Sequence, residues 1–150
     1  MKRLVVVSVL VGVAIVAAAW ALGVARTRTP KPHVVDGVIY GQANEQLVIT
    51  VRAVDAGGNA EELSSDLRPG YAFSDVSQAG AARYGLGGCC RPMVSGEYML
   101  QFDLYRSTEA SRDDPAKLVQ WESPVTLGEA YPIDAADGGT VTVIVSKKLG

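Results

Sequence analysis

The sequence is short of the residues on which most catalytic and metal sites depend. In 150 residues it has a single histidine, His33, and two cysteines, Cys89 and Cys90. With that histidine in a proline-containing stretch, no Ser-His or Cys-His nucleophile pair can be assembled from the residues that follow it. A multi-histidine metal site is excluded for the same reason. There is no Gly-x-Ser-x-Gly elbow, no Walker phosphate loop and no dinucleotide fingerprint. Glu61-Glu62 and Asp113-Asp114 are adjacent carboxylates in polar stretches and read as solvated charges. A glycosidase needs two carboxyls about 5–10 Å apart across a cleft, and neither pair lies in an Asp-x-Asp-x-Asp calcium loop. The expectation is a protein that is not an enzyme and has no cofactor, no metal and no small-molecule substrate.

Acidic residues are also missing from the whole N-terminal part; the first is Asp36. Four of the 14 basic residues (Lys2, Arg3, Arg26 and Arg28) lie before Pro30. That leaves ten basic against 16 acidic residues, a net of −6 for the remainder. Such a field repels phosphate backbones and anionic headgroups, which argues against a nucleic-acid partner and is compatible with a basic protein partner.

Charge of either sign is absent from Leu4 to Ala25, an apolar run of 22 residues. As a helix it would reach about 33 Å, enough to cross a hydrocarbon core of roughly 30 Å. Residues 1–25 are therefore expected to form a signal anchor or transmembrane helix. Leu4 and Ala25 mark its ends, Val13 its middle, and Trp20 stands where an indole favours the interface. Met1-Lys2-Arg3 has the character of a signal n-region, and Ala19-Trp20-Ala21 and Gly23-Val24-Ala25 resemble cleavage sites. Two outcomes stay open. One is a single-pass inner-membrane protein with its domain in the periplasm; the other is a cleaved, soluble periplasmic domain. Residues 26–33 (RTRTPKPH) read as a juxtamembrane linker.

From Val34 to Gly150 the hydrophobic period is two. Glu97 to Arg106 alternates Tyr98, Leu100, Phe102 and Leu104 against polar neighbours. Glu45 to Val54 and Thr140 to Lys147 alternate in the same way. Val34 to Tyr40 and Lys117 to Glu122 are further strands, and Arg83 to Leu86 is a weaker one. Asp55-Ala-Gly-Gly-Asn59 and Asp137-Gly-Gly139 are turns, and Ser107 to Pro115 is a polar loop. Ala60 to Leu67 (AEELSSDL) reads as one short helix. Six or seven short strands at this spacing predict an all-β domain, a single small antiparallel sandwich of immunoglobulin-like size.

The unusual stretch is Gly85-Leu-Gly-Gly-Cys-Cys-Arg-Pro92. Three states compete for the adjacent cysteines: a vicinal disulfide stiffening a loop, two free or partly buried thiols, or an intermolecular bridge. A vicinal bond is awkward, because neighbouring Cα atoms are about 3.8 Å apart and disulfides usually span about 4.4–6.8 Å. Gly87, Gly88, Cys89, Cys90 and Arg91 are read as a loop that could be shaped for a partner, against the plainer reading of a bulge or tight corner between strands.

The run Gly87-Gly88-Cys89-Cys90, then Pro92, Gly96 and the alternating strand Tyr98 to Tyr105, resembles the domain-of-unknown-function 3304 family. The resemblance covers about Val34 to Ser107. Members are commonly lipoproteins; here no acylation cysteine follows the apolar run, and a tryptophan expected soon after the proline is absent. The resemblance implies a small exported β-protein that serves as an immunity protein, binding and blocking a type VI secretion phospholipase effector in the periplasm. The alternative is a structural or accessory subunit of a cell-envelope or secretion assembly.

Overall fold

The computed structural model describes residues 31–41 and 43–149. The anchor expected over residues 1–25, with Leu4, Val13, Trp20 and Ala25, and most of the linker lie outside the described residues. Among those described, no helix is long and apolar enough to cross a membrane. Pro32–Gly150 forms one compact unit.

That unit is all-β. Its strands are β1 (His33–Val35), β2 (Val38–Tyr40), β3 (Leu47–Val54), β4 (Ala60–Leu67), β5 (Ala72–Ala79), β6 (Ala82–Pro92), β7 (Tyr98–Thr108), β8 (Ala116–Val125), β9 (Ala130–Asp134) and β10 (Thr140–Lys147). The first two form a hairpin turned by Asp36 and Gly37, both at positive φ. The others make two antiparallel four-stranded sheets, in the orders β4-β3-β10-β9 and β5-β6-β7-β8. The second is a plain meander. The first is closed by its sequence-distant strands, β3 and β10, which pair from Leu47↔Lys147 to Val54↔Thr140.

Alternation places one face of each sheet in a shared core. Leu47, Ile49 and Val51 come from β3, Leu100, Phe102 and Leu104 from β7, and Val141, Val143 and Val145 from β10; all are buried in one hydrophobic cluster. Burying side chains of this size stabilises by about 1.5–3 kcal/mol each. A register shift between Leu104 and Tyr105 passes over Leu118, so that consecutive Leu118 and Val119 on β8 are both buried.

Three expectations are corrected. Ala60–Leu67 is a strand, not a helix, and pairs with the whole of β3. Its buried residues are Leu63 and Leu67. A spacing of four satisfies both the helical and the strand period, and the open edge of β3 decides between them. The expected Arg83–Leu86 strand is instead eleven residues long and absorbs the glycine-cysteine run. The polar loop from Ser107 is shorter than expected: β7 continues to Thr108, and Glu109–Ser111 is a single 3-10 turn. Strands β5 and β9 have no counterpart among the expected elements.

Candidate functional site

Gly87, Gly88, Cys89, Cys90 and Arg91 do not form a loop. They occupy β6, an interior strand paired to β5 on one side and β7 on the other. The physical reason is visible at Gly88. It stands in an inward-facing row, Phe73–Gly88–Phe102–Trp121, that crosses the sheet through direct pairs. A Cβ at Gly88 would overlap the carbonyl oxygen of Gln101 and lie 2.8 Å from the Phe102 Cα. Glycine lets the strands close at this point, while the Phe102 and Trp121 rings meet edge-on at 5.8 Å. Gly85 and Gly87 differ from Gly88. A Cβ there would meet only ordinary contacts, at 3.9 Å to Tyr105 Cβ and 3.6 Å to the Phe73 carbonyl.

Both cysteines are free thiols. As consecutive residues of a strand they project to opposite faces. Cys90 points into the core and is fully buried. Burial pushes its thiol up to about 12, reinforced by Cys89 and by the Glu45 carboxylate. A thiol so placed stays protonated and packs as a small apolar group. Cys89 is half-buried on the outer face. The Tyr98 hydroxyl donates to the Glu45 carboxylate, and burial followed by this bond raises its ionisation well above the tyrosine range. Glu45 thereby fastens the segment leading into β3 onto the start of β7. Arg91 lies over the Tyr40 ring at 5.0 Å, and His33 stacks on that ring at 5.3 Å. The arginine that sequence reading offered as a partner anchor thus clasps the N-terminal hairpin.

The remaining carboxylate pairs are spread out. Glu61 and Glu62 lie on β4, where Glu62 pairs across from Arg52. Among the described residues, no group of three or more His, Cys, Asp or Glu comes together as a metal site.

Among the described residues, a cleft of about 580 Å³ lies between the edge strands β4 and β5. Its floor includes the buried Leu47, Leu67 and Phe73. Its rim carries Arg68, Tyr71 and the Asp66–Lys148 ion pair, closed at 2.6 Å. Tyr71 is 38% exposed. An apolar floor under a few converging polar groups is the usual form of a recognition site, and exposed arginine and tyrosine are the residue types that anchor protein contacts. Sequence reading passed over these residues. Arg68-Pro69-Gly70 registers only as a stop signal, and nothing in the chain announces that Lys148 lies beside Asp66.

The cleft has an open strand edge on each side, and both edges are guarded. β4 carries Glu61, Glu62 and Asp66. On β5 the Asp75 carboxylate accepts the Val76 N–H at 2.8 Å, taking a donor that a docking strand would need. Such edges disfavour the addition of a further strand at the cleft.

Compared with known proteins, the chain matches no protein-family model, no curated protein sequence and no solved structure.

Proposed function

We propose that this chain is an exported protein-binding module, tethered to the inner membrane by residues 4–25 with its β-domain in the periplasm. Its finer role is that of an immunity protein which covers a type VI phospholipase effector. The observation that carries the binding reading is the β4–β5 cleft, with its apolar floor and its Arg68 and Tyr71 rim. A rigid sheet-built body with an anchored rim needs no catalytic group to block another protein; it has only to fill the mouth of the partner's active site. The net −6 after Thr29 favours a basic face on that partner. The tether keeps the module at the surface where a phospholipase acts, raising its effective concentration there. The immunity role rests on the resemblance in the Gly87–Tyr105 stretch.

The test is co-expression with a periplasm-directed effector encoded beside this chain. Protection by the natural chain, lost in an Arg68→Glu, Tyr71→Ala variant that is still membrane-associated and folded, is the expected result. Equal killing with and without the natural chain overturns the immunity role. Undiminished capture of the effector by the double variant overturns the cleft as the contact.

A further inference from the structure

The outer face of the β5–β8 sheet has a second concavity, well separated in character from the cleft. It is a depression of about 290 Å³ lined by Val76, Arg83, Gly85, Tyr105, Ser107, Arg112 and Pro115. A smaller polar depression of about 190 Å³ adjoins it; it shares Arg83, Ser107 and Arg112 and is also lined by Glu109.

Three features set it apart. First, its lining holds two guanidinium groups and no carboxylate, in a domain whose net charge is −6. Among the described residues, neither Arg83 nor Arg112 is in an ion pair. Second, its floor is bare backbone at Gly85, where a side chain would fit, since a Cβ meets nothing closer than 3.9 Å. Glycine in a strand interior is less favourable than alanine, because it loses more backbone freedom on folding. Packing does not require it at this position, and its effect is to keep the floor open. Third, the walls beside the arginines are apolar: Val76 is 53% exposed, and the Tyr105 ring is held in place by the Lys117 ammonium at 5.5 Å.

We propose that this depression binds a carboxylate carried next to an apolar side chain on a protein partner. The guanidinium groups of Arg83 and Arg112 would donate to the carboxylate oxygens, and the Ser107 hydroxyl is a further donor in the same lining. Val76, Tyr105 and Pro115 would cover the neighbouring apolar group. A carboxylate of this kind has two sources on a protein, a chain terminus or an acidic side chain beside a hydrophobic one. The proposal takes its partner from the binding-module reading but uses a face of the domain different from the cleft.

The experiment uses the full chain in nanodiscs and three probes, followed by calorimetry and ligand-observed NMR. N-acetyl-phenylalanine presents a terminal carboxylate. N-acetyl-glutamyl-phenylalanine amide presents a side-chain carboxylate. N-acetyl-phenylalanine amide presents none. At least one acid is expected to bind ten-fold or more tightly than the neutral amide, and the tighter acid identifies the source. An Arg83→Gln, Arg112→Gln variant, altered only at exposed side chains, is expected to lose ten-fold or more for that acid with an unchanged circular-dichroism spectrum. Equal binding of the acids and the amide, or undiminished binding by the double variant, overturns the proposal. Effector capture by the natural chain, measured in parallel, keeps the two ideas distinct. Capture without carboxylate binding ends this proposal alone, and carboxylate binding without capture ends the immunity role alone.

Discussion

Gly88 on β6 lies directly opposite Phe102 on β7, and a methyl group at position 88 would stand 2.8 Å from the Phe102 Cα. Two interior strands thus meet where one of them has no side chain, and the fully buried phenylalanine packs in the row that passes over the gap.

Gly88→Ala is therefore expected to force β6 and β7 apart and to cost about 2–4 kcal/mol, in the range of a core strain defect. For a domain of this size that lowers the melting temperature by roughly 10–20 °C. Gly87→Ala, on the same strand but with room for its methyl, is expected to be neutral or slightly stabilising. Thermal unfolding followed by circular dichroism separates the two; equal effects would show that the close approach at Gly88 carries no special weight.

Phe102→Ala removes the centre of the same row and is expected to cost about 3–5 kcal/mol. The loss should leave Trp121 without its edge-on neighbour, so a red shift of tryptophan fluorescence should accompany it. Trp20 also emits, which makes the shift best read as a difference against a Trp20→Phe background.

The buried thiol and phenol set the alkaline limit of the fold. Cys90 has an ordinary value of 9.0 and is held at about 12 in the folded chain. Tyr98 is likewise raised above its ordinary 10.0. A group whose folded value is raised gives its full contribution below its unfolded value. That contribution is then lost with rising pH, because only the unfolded chain can release the proton. Stability is expected to be flat with respect to these two groups below about pH 9 and to fall from there toward pH 12. Cys90→Ala should flatten part of that slope in denaturant titrations at stepped pH. An unchanged slope would mean that Cys90 ionises freely in the folded state.

Alkylation at pH 8 should mark the half-buried Cys89 in the folded protein and Cys90 only after denaturant. Intact mass should not change on reduction. A gain of about 2 Da, the two hydrogens of a reduced disulfide, would instead reveal a bridge between these neighbours, for which the strand would have to bend out of the sheet.

Asp75→Val is expected to promote self-association. It frees the Val76 N–H on the β5 edge and removes the charge that guards it. Light scattering over hours at increasing concentration checks it; a variant that stays monomeric would show that the edge is protected by other means.

Strands with strict alternation are legible in the sequence. Tyr98–Leu104, Leu47–Ala53 and Val141–Val145 announce their inward faces because each is a central strand with one buried side. Of the edge strands, β8 is announced by Lys117 to Glu122, whereas β4, β5 and β9 are not. Along β5 the inward positions of Phe73, Asp75 and Ser77 mix apolar and polar groups, since the rim of a sandwich is only partly dry. On β4, Leu63 and Leu67 with good helix formers around them fit either period. β6 was hidden by its own glycines, which carry no hydrophobic signal although Gly88 is as firmly placed as any leucine. The cleft and the arginine-lined depression depend on distant segments coming together. Lys148 meets Asp66 across 82 positions of chain, and Arg83 and Arg112 line one depression only after β7 has folded back. A charge count in the sequence holds no trace of such meetings.

The pairing of β3 with β10 bears on when the domain can form. Among the described residues β10 comes latest in sequence, yet it sits in the middle of its sheet, between β3 and β9. Until Thr140–Lys147 is in place, β3 and β9 have no strand to join them and half of the core faces water. The meander β5–β8 can assemble from local hairpins as it appears, whereas the other sheet must wait for Thr140–Lys147. A chain that stops before Thr140 should therefore be left as an open half-sandwich and be cleared by proteases.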